Sequence, residues 1–403
     1  MPPIQDLALR INDKFKGMAG TSQTIETAFG FSPADPDKLL RALRILFDGN
    51  KRDISEASVG TANVLYLALR SLDLDSLVEE GSREHTFFSI EEPEAHLHPH
   101  LQRLVYRSYL RPRQATIKEG KLEKKPVTYL LTTHSPHIAS VTPVESLILL
   151  SKDSNEDATV GISGASINLN KAERDDIERY LDVSRAEGLF SRGVLLVEGD
   201  AEKFLVPTLA ARAGYDLDSL GITVCSIGGT NFVPYVKFFG PQGLGIPVAV
   251  LTDLDPYTTK GGISKDYGRS RAHKLFPLIS PGAKKTSKVQ EATFYEKHGI
   301  FLNRSTLEIE LNDSGCIYGM NSVMQELCDV EAAKKRFQQI ADNTKKNGNT
   351  IIRINDPKRF LRDIEYVGKG RFAQRLCTEL SKIDTSYNFC PSYILKAIKY
   401  VVQ

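Results

Sequence analysis

Three apolar runs in the middle of the chain, each closed by acidic residues or glycine, set most of what it can fold into. They are GVLLVEG at 193–199, GITVCSI at 221–227 and PVAVLTDLD at 247–255. Short apolar runs bounded by turn residues and rich in β-branched side chains read as buried strands. Helical stretches separate them, one over 202–213 and one after the turn at Gly228-Gly229. Alternation of this kind predicts an α/β fold with a parallel sheet and right-handed crossovers. The reactive edge of such a sheet is the one at the strands' C-terminal ends. Acids fall there: Glu198 closes the first run, Glu202 follows one helical turn later, and Asp253 and Asp255 close the third. In an extended chain the i, i+2 spacing points both aspartates to one side. Four carboxylates at neighbouring strand ends repel unless cations lie between them. All-oxygen donors favour magnesium, manganese or calcium over zinc. A lone D-x-D is usually a pair of surface acids. Here both acid groups follow strands of the same unit, which favours a cation site.

A second constellation lies upstream. EASVGTANVLYLALRSL (56–72) has a small polar start and apolar spacing at Leu65, Ala68, Leu69 and Leu72, as in a capped amphipathic helix. The runs TFFSI (86–90) and VTYLLTT (127–133) read as two more parallel strands. The first ends in Glu91-Glu92 and the second in His134. Paired carboxylates can hold a magnesium-bound water and the attacking water, and a histidine can sense a γ-phosphate, as phosphoanhydride hydrolysis requires. Either piece alone is more often a solvated acid pair or a structural histidine. A triphosphate also needs a cradle of backbone N–H groups and a lysine. No G-x-x-x-x-G-K-[ST] occurs in the chain; GPQGLG (240–245) lacks the lysine and the hydroxyl residue.

The remaining segments are plainer. Residues 1–50 read as short amphipathic helices with a turn at FSPADPD, and RILFDGNKRDI as a hairpin turning at Asp48-Gly49. Residues 117–126 read as a charged loop, 152–170 as a loop or weak strands, and 171–191 as one polar helix holding the domain junction. Helices are expected over 313–403. With 25% charged and 41% hydrophobic residues, the 403-residue chain has the composition of a soluble protein of two or three domains. No apolar run approaches the ~18 residues of a membrane span, and the N-terminus lacks the apolar core of a leader, so a cytoplasmic protein with no membrane contact is expected. The five cysteines form no C-x-x-C pair and read as reduced thiols. A net charge of +2 leaves nucleic-acid contacts to local patches, of which 257–274 and KKTSK (284–288) are the candidates.

Taken in order, SVGTANVLYLAL, the acidic strand end, PEAHLHP and TTHSPHIAS resemble the C-terminal lobe of an ABC-type ATPase. Ser58 and Gly60 stand at the signature position, Glu91 and Glu92 at the Walker B and catalytic acids, and His134 at the switch histidine. E-G after a strand followed by D-x-D resembles the Toprim fold. With YLDVSRAEGLFSRGVLLVEGDAEKFLVP (180–207) joining the two, the chain resembles the OLD (overcoming lysogenization defect) family of nucleases. That resemblance implies a partial ATPase domain over 1–165, a linker helix over 166–191, a Toprim core over 192–312 and a helical part over 313–403 completing the site. It also implies metal-dependent cleavage of DNA in antiphage defence. Two magnesium or manganese ions, with calcium an alternative second ion, would be held by Glu198, Glu202, Asp253, Asp255 and Glu308. Glu310 competes with Glu308, and Lys369 from VGKGRFAQRL would face the scissile phosphate. A homodimer is expected, with ATP bound only if a partner polypeptide or defence component supplies the phosphate loop. The rival readings are a Toprim topoisomerase or primase, and a non-catalytic subunit of a two-component complex.

Overall fold

The computed structural model describes residues 2–20, 27–30, 44–49, 51–80, 85–110, 117–118, 121–122, 127–152, 158–258, 264–283, 291–348, 350–383 and 389–402. FSPADPD and KKTSK lie outside them. The chain forms two compact units, Met1–Thr142 and Pro143–Gln403.

In the first unit, α1 (Pro2–Ala19) is followed by β1 (Ala28–Gly30), β2 (Arg44–Phe47) and β3 (Arg52–Asp53), an antiparallel sheet in that order. Among the described residues of 1–50, where short helices were expected, α1 is the one helix. Its Ile11, Phe15 and Met18 recur at helical spacing along one face and are all buried. The hairpin at Asp48-Gly49 forms as expected, with φ of 52° and 63° at the two turn residues. Helix α2 (Val59–Glu79) starts at Ser58, whose hydroxyl accepts from Thr61 N at 3.2 Å. It runs past the expected end at 72, carrying the core residues Val64, Leu65 and Ala68. Strand β4 (Thr86–Glu91), helix α3 (Pro99–Leu110), the short pair β5 (Ile117–Lys118) and β6 (Lys121–Leu122), strand β7 (Val127–Thr132) and helix α4 (Pro136–Ala139) follow. β4 and β7 pair in parallel, with Phe88 opposite Tyr129 and Ile90 opposite Leu131 facing the core shared by α1, α2 and α3.

The second unit opens on an antiparallel hairpin of β8 (Ile148–Lys152) and β9 (Thr159–Ser163), where a loop or weak strands were expected. The single helix expected over 171–191 is instead α5 (Lys171–Tyr180), α6 (Val183–Ala186) and a 3-10 turn at 187–190. The break has a cause: Asp182 caps a new helix by accepting from Arg185 N at 2.9 Å, and Arg185 donates back to the Tyr180 carbonyl at 2.9 Å. Lys237 ties α5 to the following sheet region through Glu173 at 2.7 Å. Residues 143–191 thus pack with the second unit, and the compact units part 23 residues ahead of the expected 165/166 boundary.

The sheet comprises β10 (Gly193–Val197), β11 (Ile222–Ser226), β12 (Val248–Thr252) and, after α7 (Asp200–Arg212), α8 (Val233–Phe239), the hairpin β13 (Pro256–Thr258) with β14 (Ser264–Asp266), α9 (Gly268–Ile279) and α10 (Glu291–Lys297), β15 (Ile300–Leu302). Its order is β11-β10-β12-β15, all parallel. The chain goes from β10 out to β11, then back across β10 to β12. That reversal leaves a crevice between the C-terminal ends of β10 and β12, where α/β sheets hold their ligands. Both faces are covered. Leu195, Val197, Ala249, Leu251 and Phe301 join a core completed by α7 and by the helices α11 (Leu307–Asp313), α12 (Ile317–Leu327), α13 (Glu331–Lys346), α14 (Pro357–Val367), α15 (Lys369–Lys382) and α16 (Ser392–Val402). Val194, Leu196 and Val250, which alternate with them, are equally buried on the opposite face.

Candidate active site

Glu198 leaves β10 at the crevice and turns back to β12. Its Oε1 accepts from Thr252 Oγ1 at 2.5 Å and from Asp253 N at 2.9 Å. Gly228, at φ 68°, makes the turn after β11, and Gly229 N donates to the Glu198 carbonyl at 2.8 Å. Glu202 sits in the first turn of α7, where its Oε2 accepts from Gly199 N at 3.1 Å. The start of α7 thus carries two carboxylates beside a helix N-terminus, which favours negative charge.

The D-x-D segment is turned, not extended as the spacing suggested. β12 ends at Thr252, and Asp255 adopts φ 49°. Two contacts shape it. Asn303, buried after β15, accepts from Leu254 N at 2.9 Å and Ser305 N at 3.1 Å, and its amide donates to Asp253 Oδ1. Gly268 opens α9 directly against the turn: a Cβ there would lie 2.4 Å from the Asp253 carbonyl oxygen. Arg271, one turn into α9, reaches back into the crevice. Its Nη2 lies 2.8 Å from Asp255 Oδ2 and 3.2 Å from Glu198 Oε1 and also donates to the Asp253 carbonyl.

Glu308 and Glu310 share α11 but have different surroundings. Glu310 is taken up by Arg304, which donates to it from backbone N at 2.8 Å and from Nε at 3.1 Å. Glu308 faces the other acids, with Oε1 3.1 Å from Lys369 Nζ and Oε2 buried with no hydrogen-bond partner. Lys369 opens α15 after Gly368, itself at φ 88°.

The electrostatics show how closely these groups crowd. Burial pushes the Asp253 carboxyl well above the usual range, and Glu198, Glu202, Glu308 and Asp255 add to the shift. Burial also lifts Glu202 to about 7, with Glu198 and Glu308 contributing. Burial opposes charge on Lys369, but Glu308, with Glu365 and Asp253, together outweigh it and raise the ammonium's pKa. The Tyr393 hydroxyl, buried on α16, is raised by burial and then by Asp253 and Glu202. The structure therefore gathers Glu198, Glu202, Asp253, Asp255, Glu308 and Lys369, and adds Arg271, Asn303, Thr252 and Tyr393.

Two observations bear on a divalent cation. Among the described residues, no three His, Cys, Asp or Glu side chains close around a single point as they stand. Yet the donors are all hard oxygens, Glu308 Oε2 is buried and unpaired, and two of the carboxylates resist ionisation beside their neighbours. This chemistry fits such an ion.

The upstream constellation is separate and more exposed. Glu91 ends β4 and Glu92 follows it, and His134 Nε2 lies 3.7 Å from Glu92 Oε1 beyond the end of β7. Glu94, which sequence reasoning passed over, fixes this corner by accepting from Thr133 Oγ1 and His134 N, both at 2.8 Å. Gly60 packs so tightly that a Cβ would lie 2.5 Å from the His96 carbonyl oxygen. Ser58 and Gly60 line a shallow cavity with His96 and His98.

Comparison with known proteins agrees with this division. Residues 189–255 match the family described as "Overcoming lysogenization defect protein-like, TOPRIM domain", and residues 5–139 match "AAA ATPase domain". The chain is 30% identical over 166 residues to "Uncharacterized protein YbjD" of Escherichia coli (strain K12), covering 41% of this chain and 27% of that protein. It is 27% identical over 238 residues to the "OLD nuclease" of Thermus scotoductus, covering 58% of this chain and 42% of that protein. The matches thus span less than half the length of either relative. Among solved structures, the "C-terminal region of the Burkholderia pseudomallei OLD protein" is 36% identical, covering 53% of this chain and 98% of that one, with a TM-score of 0.45. The chain belongs to the OLD (overcoming lysogenization defect) family, with an AAA-type ATPase segment ahead of an OLD-like Toprim domain.

Proposed function

We propose that this protein is a metal-dependent DNA endonuclease, acting in antiphage defence, whose chemistry resides in the crevice between β10 and β12. The observation that carries the reading is the convergence of five carboxylates at one sheet edge, faced by Lys369. The name of its Thermus relative, OLD nuclease, supports the same class. Glu198, Glu202, Asp253, Asp255 and Glu308 are the residues that would hold divalent ions. Such ions, when bound, activate water and stabilise the leaving oxygen of a phosphodiester. The chain's own groups do the rest. Asn303 fixes the Asp253 carboxylate and, through two backbone N–H groups, the loop that carries it. Lys369, 43% exposed, can exchange Glu308 for a phosphate oxygen and offset charge developing on phosphorus. ATP is not required, because the chain holds no phosphate loop to cradle it. DNA is the substrate, and a homodimer is the proposed assembly.

The deciding experiment is plasmid nicking without ATP in magnesium, manganese or either with calcium. Conversion of supercoiled to open-circular DNA is expected. Intact plasmid in every condition, with metal binding confirmed by calorimetry, would refute the nuclease reading.

A further inference from the structure

Arg271 is the one cation placed between the two strand ends of the crevice among the described residues. Its side chain is only 14% exposed. Nε donates to Thr252 Oγ1 at 2.9 Å, and that hydroxyl donates to Glu198 Oε1. Nη2 meets Glu198 Oε1, Asp255 Oδ2 and the Asp253 carbonyl. One guanidinium thus gathers the carboxylate of the first strand end, a carboxylate of the third and a backbone oxygen between them. A guanidinium keeps its charge at any working pH, and its planar fork suits several fixed oxygens at once. These oxygens belong to residues that the proposed function assigns to metal. A dication held by Glu198 and Asp255 would repel the guanidinium that pairs with those carboxylates. The guanidinium and such an ion compete for the same carboxylates.

Nothing in the packing of α9 requires the arginine to stay. The helix is anchored by Gly268, whose N–H donates to the Leu254 carbonyl at 2.9 Å, and by buried Ala272, Leu275 and Phe276. We propose that Arg271 is a resident cation: it holds Glu198 and Asp255 in place until a divalent ion displaces it, and so sets the metal concentration at which the site loads. It is a positioning residue, and the inference rests on reading these carboxylates as metal ligands.

The test is Mn2+ binding to the 403-residue chain, by calorimetry and by the electron paramagnetic resonance of free Mn2+, with thermal melting in EDTA alongside. Arg271→Met should bind Mn2+ about tenfold tighter or more, since a competing charge is gone. It should also melt lower than wild type in EDTA and recover that loss when Mn2+ is added. Arg271→Lys, which keeps the charge but reaches fewer oxygens, should fall between the two and serves if Arg271→Met fails to fold. A merely structural arginine gives the opposite: its loss disorders the ligands and weakens Mn2+ binding. Unchanged or weaker Mn2+ affinity in the folded variants, with wild type binding normally, overturns the proposal and leaves the metal reading standing. Absence of Mn2+ binding in wild type and variants alike overturns both.

Discussion

Asp253 has the most to gain from a cation, because burial and four neighbouring acids all oppose its ionisation. Asp253→Asn removes that repulsion while keeping the shape. The variant should melt higher than wild type in EDTA yet lose cleavage, so paired melts and nicking assays should move in opposite directions. Glu202 gives a pH dependence of fixed sign. Its pKa rises from 4.5 to about 7 on folding, so its contribution to stability is fully present below pH 4.5 and is lost as pH rises through about 7. Metal-free protein should therefore lose stability over that window, and Glu202→Gln should make the slope of melting temperature against pH shallower. Lys369→Ala should slow turnover by roughly 10²–10³-fold, the scale of one charged transition-state contact, while Mn2+ binding in calorimetry is retained. The acids were legible in the sequence because each closes an apolar run or opens the helix after it. Lys369 and Glu308 were legible only through the family resemblance. Arg271 and Asn303 were not legible as site residues. They meet Asp253 from 18 and 50 residues away, and an arginine inside a basic stretch looks like a phosphate contact until the fold turns it inward.

The joint between β12 and α9 shows what element-level reading reaches and where it stops. The buried strands were readable because β10 and β12 consist wholly of buried residues, which leaves an uninterrupted apolar run. The three-residue β15 escaped, being too short to show a period, although it delivers Asn303 to the site. The turned D-x-D escaped because its shape is imposed from outside, by Asn303 and by the close approach of α9. That approach depends on Gly268. In Gly268→Ala the new Cβ would stand 2.4 Å from the Asp253 carbonyl oxygen and 2.7 Å from Leu254 Cα, both backbone atoms that cannot rotate away. The helix must move off the strand end, taking Arg271 and the Asp255 turn with it. A loss of about 1–3 kcal/mol in denaturant melts is expected, the usual cost of overpacking, together with reduced nicking. Wild-type stability and activity in Gly268→Ala would show that the joint is looser than the structure places it.

Across the whole molecule the two chemistries separate cleanly by unit. Glu91, Glu92 and His134 lie in the first compact unit, and every group of the crevice from Glu198 to Lys369 lies in the second. Glu92→Gln should therefore leave ATP-independent nicking unchanged, and calorimetry should detect no binding of Mg-ATP to the chain alone, which lacks the G-x-x-x-x-G-K-[ST] cradle. The cores are divided in the same way. The residues packing around α1, α2 and α3 all fall before Thr142, and the core beneath the crevice draws only on residues from Leu195 to Val401. A unit of 261 residues with its own buried sheet is large enough to be stable alone. Expressed by itself, the stretch 143–403 should unfold in one cooperative transition and bind Mn2+ with the affinity of the full chain. Its ends favour this, since Val144 N is already held by Glu178 at 2.9 Å within the same unit, and α16 packs on the sheet. A non-cooperative melt, or Mn2+ affinity weakened more than about tenfold, would mean that the first unit is needed to order the carboxylates, and the division of labour drawn here would fail.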